Sequence, residues 1–400
     1  MQKSISYSFN HSANREDTNA EKYTKRQELF GTTDVEPLWV ADMDIDTPSF
    51  VLEAVKKRLE HPIVGYEEVP QSAFEAQRDW LEVYHDVAFD VEDFIYSHSV
   101  VASMNLAIEA FSRVGDKIIV QTPVYPPFFH SVVQHQRKVL KNPLTLNAEG
   151  EYGFDIEDLK SKIDTDTKLL LLCSPHNPVG RVWRREELEE ILALCLEHNI
   201  VVFSDEIHSD LVYAPHKHIP FASLSQEARD ITITAVGVGK SFNMAGFAMS
   251  SVIIPNAQLK ERFLEHYNRV HFAQGSLLSH VAFESAYKDG SEWLEALKEH
   301  LYENYTQLRE VCQNYPQLLR VTPLEGTYLA WIDCRAIGLS NKALKEFFVK
   351  ESKLGVGMGV SFSKEGSGFV RLNFAISKEK MKKVCSLLER ALEKKAMELV

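Results

Sequence analysis

Gly237-Val238-Gly239-Lys240-Ser241-Phe242-Asn243-Met244-Ala245-Gly246 is the stretch on which the reading of this chain turns. It follows the β-branched run Ile231-Thr232-Ile233-Thr234-Ala235-Val236, so a strand is expected to empty into a glycine-rich loop whose amides are open to a ligand. Lys240 is the lone cation in that loop. An amine at the end of a strand can form a Schiff base once burial or a neighbouring cation lowers its pKa. Taken alone, the ten residues fit an ordinary surface lysine in a turn more readily, so the decision rests on what the other strands carry.

Outward from this stretch, 400 residues with 44% hydrophobic content bound a globular chain long enough for two lobes. A net charge of -13 with no clustered Lys/Arg stripe excludes a nucleic-acid surface. The five cysteines, Cys173, Cys195, Cys312, Cys334 and Cys385, form no C-x-x-C pair and fall mostly in apolar patterns, which fits a reducing cytoplasm. Met1 to Ser6 opens without an apolar signal core, and no run of about 18 apolar residues occurs, so neither secretion nor membrane insertion is expected.

From residue 95 to about 255 strand and helix patterns alternate, which predicts a mostly parallel sheet covered on both faces. The clearest strands are 117–120, 169–173, 200–203, 231–236 and 251–254, with a helix over 186–198. Beyond Pro255 long amphipathic helices dominate, and short strands near 328–332 and 369–374 complete a smaller α+β lobe. The expected division is an N-terminal arm and small-domain segment over 1–48, a large domain over 49–285 and a small domain over 286–400.

In such a sheet ligands sit beyond the carboxyl ends of the strands. Four polar groups fall there. Ser99-Val100-Val101 opens a helix and offers amides to a phosphate, although Ser99 equally reads as a plain N-cap. Ser174-Pro175-His176-Asn177-Pro178-Val179-Gly180 presents Asn177 on a rigid loop that, alone, is only a tight turn. Ser204-Asp205-Glu206-Ile207-His208 places a carboxylate at the lip of a central strand; Asp205 also fits a helix cap and His208 a hydrogen-bonded core residue. Lys240 closes the set. Jointly, a lysine, a carboxylate and an amide at three strand ends fit a pyridine cofactor, with the carboxylate keeping the ring nitrogen protonated.

The motifs at 174–180, 204–208 and 239–246, together with Phe369-Val370-Arg371-Leu372-Asn373-Phe374-Ala375, resemble fold type I pyridoxal-phosphate enzymes. Trp39-Val40-Ala41-Asp42-Met43-Asp44 and the histidine of Asp-Glu-Ile-His resemble the MalY/PatB-type cystathionine β-lyases, or C-S lyases. The resemblance runs from Asn14-Arg15 to the final helix and implies an aminotransferase-like α/β fold with pyridoxal 5'-phosphate as cofactor. Lys240 would carry the cofactor and move the Cα proton, Asp205 would pair with the pyridinium nitrogen, and Asn177 and His208 would lie near the phenolic oxygen. Tyr125 would stack on the ring, Val100 and Val101 would bind the phosphate, and Arg371 would clamp the substrate carboxylate. Tyr66 would reach the phosphate of a neighbouring subunit, making the expected form a homodimer with shared active sites.

The implied reaction is α,β-elimination from L-cystathionine, L-cysteine or related S-conjugates. An aminotransferase is the alternative, since it uses the same core residues, and a non-catalytic ligand sensor is a third reading. Gly237 and Gly239 depart from serines common in relatives, and Ser99 from a common glycine, so phosphate binding would fall to backbone amides or Ser241.

Overall fold

The computed structural model describes residues 7–271 and 275–398; the opening Met1–Ser6 of the expected arm lies outside them. The central sheet has seven strands: β1 (Phe94–Ser97), β2 (Lys117–Thr122), β3 (Lys138–Pro143), β4 (Thr167–Cys173), β5 (Val201–Asp205), β6 (Thr232–Val236) and β7 (Ser250–Ile253). Their spatial order is β1-β7-β6-β5-β4-β2-β3, parallel throughout except β7, which runs antiparallel to both neighbours. The edge strand β3 lacks a clean apolar run, so its local sequence carries no strand signal. Its Lys138 and Lys141 face solvent, as edge strands commonly arrange.

Alternate residues of each strand feed opposite layers, the period-two rule at work. Leu169 and Leu171 of β4 join Val120, Phe203 and Ile233 against the helix Val100–Phe111, whereas Leu170 and Leu172 join Ile119 and Val202 against the helix Arg185–Glu197. Full burial of each such leucine contributes about 2 kcal/mol, which makes the strand ends a stiff platform.

The second sheet is antiparallel, with β8 (Arg320–Val321), β9 (Leu329–Asp333), β10 (Gly357–Met358) and β11 (Phe369–Asn373) in the order β8-β9-β11-β10. From Phe9 to Asp44 the N-terminal arm lies on its own lobe. Phe9 stacks on His300, Glu36–Pro37 pairs with Leu354–Gly355, and Asp44 bridges to Ile376. A buried ion cluster locks it there. Lys22, fully buried, lies 3.3 Å from Asp42 and 3.4 Å from Asp44, while Arg15 reaches the same two acids and Lys380 of the last helix reaches Asp44 at 2.9 Å. Burial alone would raise the Asp44 carboxyl, but Lys22 and Lys380 outweigh it and hold the pKa down at about 2.

One expectation needs correction. The stretch 237–246 is not an open loop at Lys240: Val238–Ser241 forms a single helical turn directly after β6. Gly237 is extended, with φ 172°, so no left-handed backbone explains the glycine. Its reason is space, because a Cβ there would stand 2.9 Å from Ser250 of β7.

Candidate active site

The carboxyl ends of β4, β5 and β6 lie in register, Cys173 beside Asp205 and Asp205 beside Ala235, so the residues that follow them are delivered to one place. There a cleft of about 500 Å³ opens, lined by Val100, Val101, Tyr125, Asn177, Asp205 and His208, with Lys240 and Arg371. Tyr66 is the exception. It stands 93% exposed on the loop between the helices Ser49–Leu59 and Gln71–His85, outside this cleft.

Asp205 is buried; its carboxylate accepts the Ile207 amide at 3.1 Å and, among the described residues, has no other hydrogen bond and no ion pair. Burial pushes its carboxyl up to about 7, Ile207 and Lys240 pull against the rise, and Glu206 adds to it. Lys240 donates from Nζ to the Ala41 carbonyl at 2.6 Å. Burial, reinforced by Arg371, lowers this amine to about 8 against the opposing pull of Asp42 and Asp205. Half the lysine is therefore an uncharged nucleophile near pH 8.

The cap expectation for Asp205 holds only as a local Asx contact, and His208 is not a hydrogen-bonded core residue. It is buried at the cleft wall, its Nδ1 has no partner among the described residues, and its ring meets Tyr328 edge-on at 5.8 Å. Burial together with the charges of Lys240 and Arg371 keeps it neutral. Tyr125 and Asn177 are tied together through the Tyr125 amide and the Asn177 carbonyl at 3.0 Å.

At the far end, Ser99 caps the helix Val100–Phe111 by accepting from the Ala102 amide at 3.2 Å. Val100 and Val101 are the first helical residues, so their N–H groups have no intrahelical acceptor and point outward with the positive end of the helix dipole. Ser241 does not serve this end. Its hydroxyl donates to Asp210 Oδ2 at 2.6 Å in the core, whereas Ser250, which crowds Gly237, lines the cleft.

The roof comes from the second sheet and the segment 39–44. Arg371 on β11 donates to Asn177 Oδ1 at 2.9 Å and to the Trp39 carbonyl at 2.6 Å, and its buried Nε has no partner among the described residues. No carboxylate pairs with it among the described residues, and burial lowers it to about 10 against the pull of Tyr125 and Tyr328. Tyr328 donates to Ala41 O at 2.9 Å, the same carbonyl that holds Lys240, and Asn373 pins the carbonyls of Val40 and Asp42.

Two residues escaped the sequence reading altogether. Tyr328 looks like any aromatic in a short strand. Asp210 receives Ser241, Trp80 at 2.9 Å and His85 at 2.8 Å, fastening the turn that bears Lys240 to the helix Gln71–His85. Its only signal is a carboxylate two residues past His208, and its partners lie far away in sequence.

These groups fit pyridoxal phosphate on structural grounds. A buried carboxylate raised to about 7 lacks the cation that a protonated ring nitrogen would provide, the amine at about 8 suits the aldehyde, and free helical amides suit the phosphate. Comparison with known proteins agrees. The model of the aminotransferase class I and II family matches residues 33–388. The chain is 39% identical to cystathionine beta-lyase PatB of Bacillus subtilis over 361 residues, covering 90% of this chain and 93% of PatB. It is 32% identical to protein MalY of Escherichia coli, covering 88% and 90%. The structure of cystalysin from Treponema denticola, which contains pyridoxal 5'-phosphate, superimposes with a TM-score of 0.94 at 31% identity, over 98% of this chain and all of that one. With sequence, fold and cleft pointing the same way, the chain belongs to the aminotransferase class I and II family, as a fold type I pyridoxal-phosphate-dependent enzyme akin to PatB and MalY.

Proposed function

We propose that this enzyme is a carbon-sulfur β-lyase that cleaves L-cystathionine, L-cysteine or related S-conjugates to pyruvate, ammonia and a thiol. One observation carries the reading: an easily deprotonated amine lies in the same cleft as a guanidinium that has no carboxylate partner among the described residues, in a chain 39% identical to PatB.

Bound pyridoxal phosphate supplies the electron sink that acidifies the substrate's Cα–H. Lys240 anchors the cofactor and takes the proton at Cα, a task suited to a base with pKa about 8. Asp205 holds the proton on the ring nitrogen, Tyr125 stacks against the ring, and Asn177 and His208 flank the phenolic oxygen. Val100 and Val101 bind the phosphate through their amides, and the Ser250 hydroxyl joins them in the space denied to a side chain at 237. Arg371 receives the substrate α-carboxylate, for which its planar fork is matched.

Tyr66 completes the site of a second copy. Its exposure, with Ile63 and Val64 exposed beside it, supports a homodimer in which this loop is covered. Mixing inactive Tyr66→Ala and Lys240→Ala chains should restore activity in heterodimers, because one mixed site regains both residues. Heterodimers without activity would remove Tyr66 from the shared site. Among the described residues no helix is long and apolar enough to cross a membrane. With its cysteines free, the enzyme fits the cytoplasm. For the division 1–48, 49–285 and 286–400, the helix Leu277–Asp289 supports a change of lobe at its end, a few residues past 285, since it packs on the helices Ser49–Leu59 and Gln71–His85 before Ser291–Asn314 begins.

The deciding experiment gives the loaded enzyme L-cystathionine without a keto acid. Sustained, equal release of pyruvate and thiol is expected. Turnover that appears only after a keto acid is added would make it an aminotransferase, the second reading that the family match favours.

A further inference from the structure

Two acidic side chains line the cleft, Asp205 on its floor and Glu21 at its opening. Glu21 has no part in the chemistry described so far. Its side chain is 57% exposed, and Oε1 accepts Lys25 Nζ at 2.5 Å; among the described residues Oε2 makes no hydrogen bond.

Its position is fixed by its neighbour. Lys22, the next residue, is fully buried, with Nζ on the Asp42 carbonyl at 3.1 Å, and its own carbonyl accepts Trp39 Nε1 at 3.1 Å. The short helix Glu21–Thr24 is thereby nailed to the segment 39–44, which also holds Lys240 and Arg371 through the Ala41 and Trp39 carbonyls. Glu21 is near enough to act on the cleft interior: burial raises the Tyr125 phenol, Asp205 and Glu21 raise it further, and Arg371 opposes them.

An amino acid with its carboxylate at Arg371 and its Cα at Lys240 would extend its side chain along the rest of the cleft lining, which includes Glu21 together with the uncharged Trp39, Met244 and Phe362. We propose that Glu21 forms the outer end of the substrate subsite and selects a positively charged group on the substituent that leaves with sulfur. The preferred substrates are then thioethers with a distal ammonium, and Lys25 offers a counter-charge when a carboxylate accompanies it, as in an amino-acid thiol. This inference rests on the proposed roles of Arg371 and Lys240.

The test uses L-lysine, L-norleucine and L-2-aminoadipate, straight-chain amino acids that end in an ammonium, a methyl and a carboxylate and have no sulfur to lose. Their dissociation constants are read from the visible absorbance of the cofactor-loaded enzyme. At low salt L-lysine should bind about five-fold more tightly than L-norleucine, with L-2-aminoadipate the weakest, and added salt should shrink the order. Glu21→Gln should bring L-lysine and L-norleucine within about two-fold of each other. Equal binding of L-lysine and L-norleucine to the native enzyme, or a lysine advantage that survives Glu21→Gln, overturns the proposal. The ratio of kcat/KM for S-(2-aminoethyl)-L-cysteine over S-ethyl-L-cysteine should fall in the same variant. If neither thioether is cleaved while the binding order holds, the lyase reading fails and the Glu21 subsite stands.

Discussion

The floor and the roof of the cleft are built on different terms. On the floor, Asp205 ends one strand and Lys240 follows its parallel neighbour; the sheet ladder places them, and both ionise far from their ordinary ranges because burial outweighs the opposite charges that act on them. On the roof, Arg371 and Tyr328 come from a separate antiparallel sheet and are met by carbonyls of residues 39–41, contributed from the opposite end of the chain. The floor stores unfavourable ionisation that a cofactor relieves; the roof ties Arg371 and Tyr328 to the Trp39 and Ala41 carbonyls and so holds the two sheets in one geometry. Chemistry is thus assigned to the floor and positioning to the roof, and variants can test that separation.

The largest effect belongs to the floor. Lys240→Ala should lower turnover by about three orders of magnitude or more, and the lysine-linked absorbance of the loaded enzyme should vanish. Retention of both would place the anchoring amine elsewhere. The native amine should also condense with added pyridoxal phosphate at a rate that climbs with pH around 8, rather than near the ordinary lysine value; stopped-flow absorbance reads the midpoint.

Asp205→Asn should cost about a hundred-fold in kcat. Its effect on the cofactor-free protein runs the other way. A carboxyl raised to about 7 favours the folded state fully below its ordinary value near 4, and that contribution is lost as pH rises through 7. The native apo-protein should therefore lose stability relative to Asp205→Asn between about pH 4 and 7, by an amount on the order of 2–4 kcal/mol, read as a falling melting temperature. Parallel melting curves across that range would show that the buried charge is relieved in the absence of cofactor.

Roof variants should be milder and should leave the cofactor spectrum in place. Arg371→Ala is expected to raise KM about a hundred-fold, with a smaller change in kcat; an unchanged KM would put the carboxylate clamp elsewhere. Tyr328→Phe removes one of two donors on the Ala41 carbonyl and should lower kcat about three- to ten-fold with KM within about two-fold, as fits a residue that acts through the position of Lys240. A larger loss than in Arg371→Ala would mean that the roof takes part in the proton transfer.

Much of the floor could be read in advance because each of its groups follows a local pattern. Leu169 to Cys173 is apolar on both faces and ends beside Asn177, and Val201 to Phe203 runs into Ser204-Asp205. A strand buried on both faces announces itself, and so does the polar residue that breaks it. The departures at Gly237 and Ser241 were visible as letters but misjudged as to remedy: Ser241 is spent on Asp210, and the reason for glycine is Ser250, thirteen positions away on an adjacent strand. Tyr328 and Asp210 gave no local sign, since their partners are carbonyls or side chains remote in sequence, and Glu21 reads locally as an ordinary i,i+4 ion pair with Lys25.

Periodicity and motif order were enough by themselves to predict the layered sheet and to single out the polar residues at the strand ends, with the family resemblance supplying the cofactor class, because buried strands and the breaks that follow them are properties of neighbouring residues. Only the tertiary structure decided that Lys240 titrates near 8 and Asp205 near 7, that one carbonyl at Ala41 serves both Lys240 and Tyr328, and that Glu21 stands at the opening. Desolvation, charge separation and shared acceptors depend on distances between segments hundreds of residues apart, and those distances exist only once the chain has folded.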